Sequence, residues 1–214
     1  MLSWNLFHGR SVPETRGSLF DEFAAALASW DWHVALLQEV PPWWPARLAS
    51  EHRRALTSRN QLLPLSRLIA QWRPDLIKSW GGGANAILAR DQEIREHRVR
   101  RLCLRPERRV VHAVRLESGL WVANVHASKS DDDPQRRDVH LARAVVEAWT
   151  GGGPVVFGGD FNVTAPPMDG WVHAARSHVD HVFAHGVHAA GPGTALDHGI
   201  LSDHRPVLAR ISFP

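Results

Sequence analysis

Short apolar runs alternate with stretches of helical periodicity along the chain. Residues 2–7 predict a strand that begins almost at once, and residues 33–38 predict a second apolar strand that ends in Glu39. Between them, residues 17–30 predict an amphipathic helix, because their large apolar side chains recur three or four positions apart. After a run of three glycines, residues 84–90 predict a further strand.

The middle of the chain changes to a series of strands separated by turn signals, expected over residues 97–104, 109–117 and 120–126. Asp133-Pro134 then predicts the start of a helix that ends near Trp149. The last strands are expected over residues 154–162, 179–184 and 206–213. Short helices are expected over residues 41–50 and 61–72.

This alternation of strands and helices, mixed with antiparallel runs, predicts an α/β sandwich of two sheets with helices outside. The sequence contains no internal repeat and no linker long enough to separate two domains. We therefore expect a single domain over residues 1–214.

The composition is that of an ordinary globular protein, with 44% apolar and 22% charged residues. Cys103 is the only cysteine, which excludes a disulfide framework, a cysteine-rich zinc module and an iron–sulfur site. No apolar run approaches the roughly 20 residues of a membrane-spanning helix, and the first residues lack the pattern of a signal peptide. The expectation is a cytoplasmic monomer with no protein partner.

Charge is distributed unevenly along the chain. Residues 1–125 carry 18 basic and 12 acidic groups, a net charge of +6, whereas residues 126–214 carry 7 and 10, a net charge of −3. Residues 98–109 alone hold six arginines and one glutamate, a net charge of +5. This run is compatible with a phosphate-binding face and equally with a solvated edge hairpin.

Polar residues recur where apolar strands end, which is where α/β enzymes place their catalytic groups. The residues concerned are Asn5, Glu39, His126, Asp160, Asn162, Asp180, Asp203 and His204. Carboxylate and amide oxygens suit a hard cation, and imidazoles can transfer protons. Because no cysteine or helical histidine pair accompanies them, magnesium or manganese fits better than structural zinc.

Six short motifs contain these residues. They are SWNL with Asn5, LLQE with Glu39, NVH with His126, GGDFN with Asp160 and Asn162, DHVF with Asp180, and SDHRP with Asp203 and His204. In these motifs and their order, over residues 3–206, the chain resembles the endonuclease/exonuclease/phosphatase superfamily, which has the DNase I-like fold. The resemblance implies a four-layer α/β/β/α sandwich of two mixed sheets.

The resemblance also implies a metal site. Glu39 would be the principal metal carboxylate, with Asn5 close to the same ion, and Asp203 would supply a further carboxylate nearby. The expected ion is Mg²⁺, with Mn²⁺ as the alternative.

The remaining motif residues would perform the chemistry. Asp160 would orient or deprotonate the attacking water, and Asn162 would hold the scissile phosphate. His126 and His204 would contact the phosphate oxygens and take part in proton transfer. Asp180 would form a hydrogen bond with an imidazole, with His204 as the expected partner.

Two departures from the abasic-site endonucleases place the resemblance nearer the DNase I-like branch. Phe7 stands where those enzymes carry an aspartate, and His126 stands where they carry a tyrosine, a residue type that this chain lacks. His8, His181, His185, His188 and His198 lie near the motifs but match no role in the family, and we expect them to be structural or surface residues.

The expected activity is that of a divalent-metal-dependent phosphodiesterase, a nuclease that hydrolyses DNA or RNA with little sequence preference. Further candidates for substrate binding are Asn85, Lys129, Arg100, Arg101 and Arg108. The alternative is a phosphatase, or a phospholipase-like or sphingomyelinase-like diesterase, that acts on a small or lipid-derived phosphoester. A non-catalytic binding module is disfavoured because every acid, imidazole and amide of the motif set is present.

Overall fold

Two six-stranded sheets pack face to face, and helices cover their outer faces. The computed structural model describes residues 1–41, 43–48, 55–58, 83–104, 108–129 and 134–213. The helices are α1 (Phe20–Ser29), α2 (Trp44–Leu48) and α3 (Pro134–Thr150), and a 3₁₀ turn covers Phe7–Gly9. The strands are β1 (Leu2–Asn5), β2 (Val34–Val40), β3 (Ala55–Ser58), β4 (Ala84–Ala89), β5 (Ile94–Cys103), β6 (Arg109–Leu116), β7 (Trp121–His126), β8 (Val155–Asp160), β9 (Val172–Ser177), β10 (Asp180–His185), β11 (His188–Ala189), β12 (Thr194–Ala195), β13 (Val207–Leu208) and β14 (Ile211–Ser212).

The first sheet has the strand order β12-β13-β1-β2-β4-β3, and the second has the order β5-β6-β7-β8-β10-β9. Strands β11 and β14 form a separate two-stranded pair. Both sheets are mixed, because β1–β2 and β7–β8 are parallel pairs whereas the other pairs within the two sheets are antiparallel. The predicted four-layer sandwich is confirmed.

Three apolar clusters hold the layers together. Leu36, Ile87, Val122, Val156 and Val182 lie in the cluster between the sheets. On the outer face of the first sheet, the apolar side of α1 packs against the outward side chains of β1 and β2, and on the outer face of the second sheet α3 packs in the same way. The central strands are therefore buried on both faces, which explains the nearly continuous apolar sequences of β1, β2, β4, β6, β7 and β8.

Strand direction brings the polar strand ends to one edge of the sandwich. In the parallel pairs, Asn5 is the register partner of Gln38, and His126 is the register partner of Asp160. Strand β10 runs antiparallel to β8, so its first residue, Asp180, lies opposite Asp160. Residues that end three strands and the residue that begins a fourth thus meet at one edge.

Buried amides join the two sheets beneath that edge. The Gln38 side chain donates to the Asn124 side-chain oxygen at 2.8 Å. Asn124 in turn donates to the backbone carbonyls of Leu37 and Ala86, both at 3.0 Å. Because unsatisfied amides are costly in an apolar interior, these bonds fix the alignment of one sheet on the other.

Several predicted boundaries differ from the structure. The first strand ends at Asn5 because Phe7 and His8 have positive φ angles of 47° and 56°, which turn the chain. The expected last strand over 206–213 is two short strands, β13 and β14, in different sheets. Strand β9 was not predicted because its sequence, VHAARS, is polar and partly exposed.

In the second quarter of the chain, strand β3 was not predicted either. Within the helix expected over 41–50, the structure describes the shorter helix α2. The helix expected over 61–72 lies outside the described residues. Among the helices that the structure describes, none combines the length and apolarity needed to cross a bilayer.

Gly159 allows β8 to approach β7 immediately before Asp160. Its φ is +141°, and a Cβ atom there would overlap the Val125 carbonyl oxygen. Gly119 also has a positive φ, +90°, but a Cβ atom there would meet nothing within 4 Å. Alanine substitutions at the two glycines therefore distinguish the cost of a positive φ from the cost of steric overlap.

We expect Gly119→Ala to lower the free energy of unfolding by about 1–2 kcal/mol, the cost of a side chain at positive φ. Gly159→Ala adds overlap with a neighbouring strand, so its loss should reach at least about 3 kcal/mol. Urea unfolding of both variants measures the difference. Equal losses would show that β8 does not depend on this close approach.

Candidate active site

Glu39 lies at the end of β2 in a constrained backbone conformation. Its φ is +49°, and a Cβ on Gly83 would come within 2.6 Å of the Glu39 Cα, so only glycine fits beside it. The carboxylate faces His8, whose Nε2 lies 2.8 Å from Oε2. Burial favours the neutral acid, but the hydrogen bond from His8 and the nearby His126 outweigh it and lower the pKa of Glu39 to about 2.

Asp160 is fixed from both sheets. Its Oδ2 accepts a hydrogen bond from the Asn5 side chain at 2.9 Å, and its Oδ1 accepts one from the Asn162 backbone N–H at 2.9 Å. Asp160 is almost fully buried. Its carboxylate therefore has a fixed orientation, which a group that orients or deprotonates water requires.

His126 is buried between a cation and two acids. Its Nδ1 lies 2.8 Å from Nη1 of Arg109, and its Nε2 lies 3.5 Å from Asp160 Oδ2 and 3.6 Å from Glu39 Oε1. Burial and the Arg109 charge lower the pKa of His126 to about 4. The imidazole is therefore neutral at physiological pH.

His204 has an acidic partner where His126 has a basic one. Its Nδ1 lies 2.7 Å from Asp180 Oδ2, and its Nε2 lies 3.9 Å from Asp160 Oδ2. Burial lowers the pKa of His204, but the hydrogen bond to Asp180 and the charges of Asp180 and Asp160 outweigh it and raise the pKa to about 9. His204 is therefore a cation at neutral pH.

The loop that carries His204 is attached to the first sheet. The His204 backbone N–H donates to the Ser202 hydroxyl at 3.1 Å, and that hydroxyl donates to the Asn5 carbonyl at 2.7 Å. The Trp4 indole N–H donates to the His204 carbonyl at 3.0 Å. These three bonds hold His204 beside Asn5, although about 200 residues separate them in the chain.

Asn162 lies directly after β8 with a φ of +52°. Its side-chain N–H donates to the Ala127 carbonyl at 2.9 Å, which ties this loop to the end of β7. One residue later, the Val163 carbonyl lies 2.8 Å from Nε2 of His181, a fully buried imidazole on β10. The loop is thus held from two neighbouring strands.

The structure brings together Asn5, Glu39, His126, Asp160, Asn162, Asp180 and His204 through the contacts above. Asp203 is exposed at the rim, with its Oδ1 3.9 Å from Nε2 of His204. Asn85, a candidate for substrate binding, is buried on β4, and its side chain donates to the Val110 carbonyl at 3.1 Å. Its polar group therefore supports the contact between the sheets.

The four cationic candidates for substrate binding lie outside this cluster. Arg100 and Arg101 are exposed on β5, and Lys129 is exposed three residues after His126. Arg108 is half-buried immediately before β6. None of the contacts described above involves these side chains.

Two residues in contact with the site were not predicted. His8 was expected to be a structural or surface residue, because it matches no role in the family. Its approach to Glu39 depends on two consecutive residues with positive φ, which the sequence did not indicate. Arg109 was not singled out within the arginine-rich run, although it begins an otherwise apolar strand, which indicates a buried charge with a specific partner.

The donor set of this edge fits a hard divalent cation. Glu39 and Asp160 offer carboxylates, and the Asn5 amide oxygen, which accepts the Phe7 backbone N–H at 2.9 Å, has one further lone pair. A second group, Asp160, Asp180 and His204, has ligand atoms within 4.8 Å of one another. In that group Asp180 and His204 are already hydrogen-bonded to each other, so a cation would have to compete with this bond. The ligand atoms near Glu39 are therefore the better candidates for a cation site.

The sequence profile of the Endonuclease/Exonuclease/phosphatase family matches residues 2–204, nearly the whole chain and every residue of this site. The chain belongs to this family. The family consists of divalent-metal-dependent hydrolases that act on phosphoester bonds, so the chain is a phosphoester hydrolase.

Solved structures share the fold of this family member. An endonuclease/exonuclease/phosphatase from Bacteroides vulgatus has 14% identity and a TM-score of 0.75, with 100% of this chain and 98% of that chain covered. The mannosyl-6-phosphatase Bt3783 of Bacteroides thetaiotaomicron has 15% identity and a TM-score of 0.69, with coverage of 99% and 98%.

Truncated TDP2 of Caenorhabditis elegans has 15% identity and a TM-score of 0.69, with coverage of 96% and 94%. No curated protein matches the sequence. At such identities the similarity establishes the fold, and the activity has to be argued from the site.

Asp180→Asn should lower the pKa of His204 from about 9, since the carboxylate that raises it most is removed while burial remains. At pH 8 the wild-type imidazole should still be protonated, and the variant imidazole should be largely neutral. An NMR titration of the His204 ring measures both. The contribution of the protonated His204 to the free energy of unfolding is fully present below pH 6.5 and is lost as the pH rises through about 9.

Asp203→Asn is the matched control, because this carboxylate is exposed and 3.9 Å from the ring. It should move the pKa of His204 far less than Asp180→Asn does. Equal shifts in the two variants would contradict the assignment of Asp180 as the partner of His204.

Proposed function

We propose that the protein is a nuclease that hydrolyses phosphodiester bonds of DNA or RNA with little sequence preference and requires Mg²⁺ or Mn²⁺. The observation that carries the proposal is the arrangement around Asp160. A fixed carboxylate lies 3.5 Å from a neutral imidazole and 3.9 Å from a cationic one, beside the acidic Glu39. Phosphoester hydrolysis needs these three functions: an orienting base, charge stabilisation and a proton donor.

Glu39 and Asn5 would hold the metal ion, with Asp203 as the outer carboxylate at the rim. A bound divalent cation supplies Lewis-acid stabilisation of charge on the phosphate oxygens. The low pKa of Glu39 keeps its carboxylate ionised throughout the physiological range, as a cation ligand must be.

Asp160 orients the attacking water and accepts a proton from it. The water oxygen forms a bond to phosphorus as the bond from phosphorus to the leaving oxygen breaks. His204, which is protonated at neutral pH, gives its proton to the leaving oxygen, and Asp180 stabilises the imidazolium beforehand. Asn162 and His126 contact the non-bridging oxygens of the phosphate.

Nucleic acid as substrate is supported by the surface of the second sheet. Strand β5 forms one edge of this sheet, and its exposed Arg100 and Arg101 lie in the half that leads to Cys103, the register partner of Arg109. Arg109 contacts His126, so the arginine-bearing half of β5 points toward the site. Arginine side chains there can bind backbone phosphates without reading bases.

A phosphatase or phospholipase-like activity on a small or lipid-derived phosphoester is the second candidate. It is favoured by one observation: a protein named as a mannosyl-6-phosphatase shares the fold over 99% of this chain. The same catalytic groups would serve both substrate classes, because the scissile phosphate is chemically alike. The difference lies in what binds the rest of the substrate.

A substrate panel with Mg²⁺, Mn²⁺ or EDTA tests the proposal. We expect turnover of plasmid, single-stranded DNA or RNA that requires the metal and falls by orders of magnitude between about 50 and 200 mM salt, as multiple phosphate contacts imply. Substitution of Arg100, Arg101 and Arg108 by Gln should flatten this salt dependence. Arg95→Gln is the control, because Arg95 lies at the other end of β5 and pairs with Glu117 at 2.6 Å.

Faster turnover of sugar phosphates, inositol phosphates or sphingomyelin than of any nucleic acid would contradict the nuclease proposal and favour the second candidate. Full activity in EDTA would contradict the metal requirement. A salt dependence that the Arg variants leave unchanged would remove the arginines from substrate binding.

A further inference from the structure

The two imidazoles of the site have partners of opposite charge. Behind His204 lies the Asp180 carboxylate, 2.7 Å from Nδ1. Behind His126 lies the Arg109 guanidinium, 2.8 Å from Nδ1. The same ring atom therefore faces an acceptor in one imidazole and a donor in the other.

The chemistry of arginine determines which nitrogen of His126 carries its proton. A guanidinium group has five N–H donors and no acceptor, and it stays protonated in proteins. A contact of 2.8 Å between Arg109 Nη1 and His126 Nδ1 is therefore a hydrogen bond that Nδ1 accepts. Since a neutral imidazole has one donor and one acceptor, the proton of His126 is on Nε2.

The geometry places this Nε2–H at the centre of the site. Nε2 lies 3.5 Å from Asp160 Oδ2 and 3.6 Å from Glu39 Oε1. Both distances exceed those of a good N–H···O hydrogen bond, so the donor is close to two acids and saturated by neither. An oxygen that enters between these residues would accept a shorter bond.

Burial makes the contact persistent. Arg109 is 6% exposed and His126 is 3% exposed, so bulk water competes little for either group. Arg109 also begins β6, the strand that pairs with β7, which His126 ends. Both side chains are therefore fixed by backbone that belongs to the same sheet.

We propose that Arg109 is a positioning residue that holds His126 as a neutral Nε2–H donor toward a non-bridging oxygen of the bound phosphoester. The inference rests on the proposed function. It divides the work of the two imidazoles: His204 transfers a proton to the leaving oxygen, and His126 donates a hydrogen bond and keeps its proton. The charge of Arg109 polarises that bond from behind.

The first experiment needs no substrate. Long-range ¹H–¹⁵N NMR of ¹⁵N-histidine-labelled protein distinguishes the two neutral tautomers and the imidazolium, and His126→Gln identifies the His126 signals. At pH 7, with and without Mg²⁺, we expect Nε2 to be protonated and Nδ1 to be an unprotonated acceptor. A Nδ1–H tautomer or an imidazolium in the wild-type protein would overturn the proposal.

Variants of Arg109 provide the second experiment. Arg109→Gln can still donate to Nδ1 and should keep the Nε2–H tautomer. Arg109→Glu offers an acceptor and should reverse the tautomer or protonate the ring. An unchanged His126 spectrum in Arg109→Glu would contradict the assignment. If this variant does not fold, the wild-type spectrum and Arg109→Gln still decide.

Activity links the tautomer to the reaction. With bis-p-nitrophenyl phosphate, we expect Arg109→Gln to lose less than tenfold in kcat and Arg109→Glu to lose at least a hundredfold, while Arg95→Gln is unchanged. Equal losses in the Gln and Glu variants would contradict the role of the tautomer. Loss of phosphodiesterase activity in every form, with the expected wild-type tautomer, would instead overturn the proposed function.

Discussion

The hydrogen bond between Asn5 and Asp160 joins the two sheets within the candidate active site. Asn5 ends a strand of the first sheet, Asp160 ends a strand of the second, and the bond between their side chains is 2.9 Å long. It can form only if the sheets align to within a fraction of an ångström. The buried hydrogen bond between the side chains of Gln38 and Asn124, beneath this edge of the sheets, provides that alignment.

Other parts of the site depend on the same alignment. The loop that carries His204 is bound to Asn5 through Ser202, so the first sheet positions an imidazole that lies near Asp160 of the second sheet. The close approach of Gly159 to β7 positions the next residue, Asp160, relative to that strand. Non-glycine residues with positive φ at Glu39 and Asn162 show that backbone conformation is constrained where the functional groups lie.

Opposite electrostatic environments give two identical side chains different properties. Burial disfavours the imidazolium at both His126 and His204, yet the pKa of one falls to about 4 and that of the other rises to about 9. The difference follows from whether an arginine or an aspartate lies behind the ring. A single site thus contains a neutral imidazole and an imidazolium at the same pH.

The sequence was sufficient to predict the strands that carry the site, because their apolar runs stop at polar residues. It was also sufficient to predict the approach of Asp180 to His204, through resemblance to the family. It could not predict that His8 reaches Glu39, since that contact requires two consecutive positive φ angles. Nor did it predict the burial of Asn85, which depends on how the second sheet packs against β4.

The proposed function requires that this edge of the sandwich bind a divalent cation on its Glu39 side, next to the imidazoles of His126 and His204. Anomalous diffraction from crystals soaked in Mn²⁺ tests it most directly, because the ion is located independently of any activity. The account predicts an anomalous peak beside the Glu39 carboxylate and the Asn5 side chain. A peak held only by Asp160, Asp180 and His204, or no peak at this edge, would contradict it.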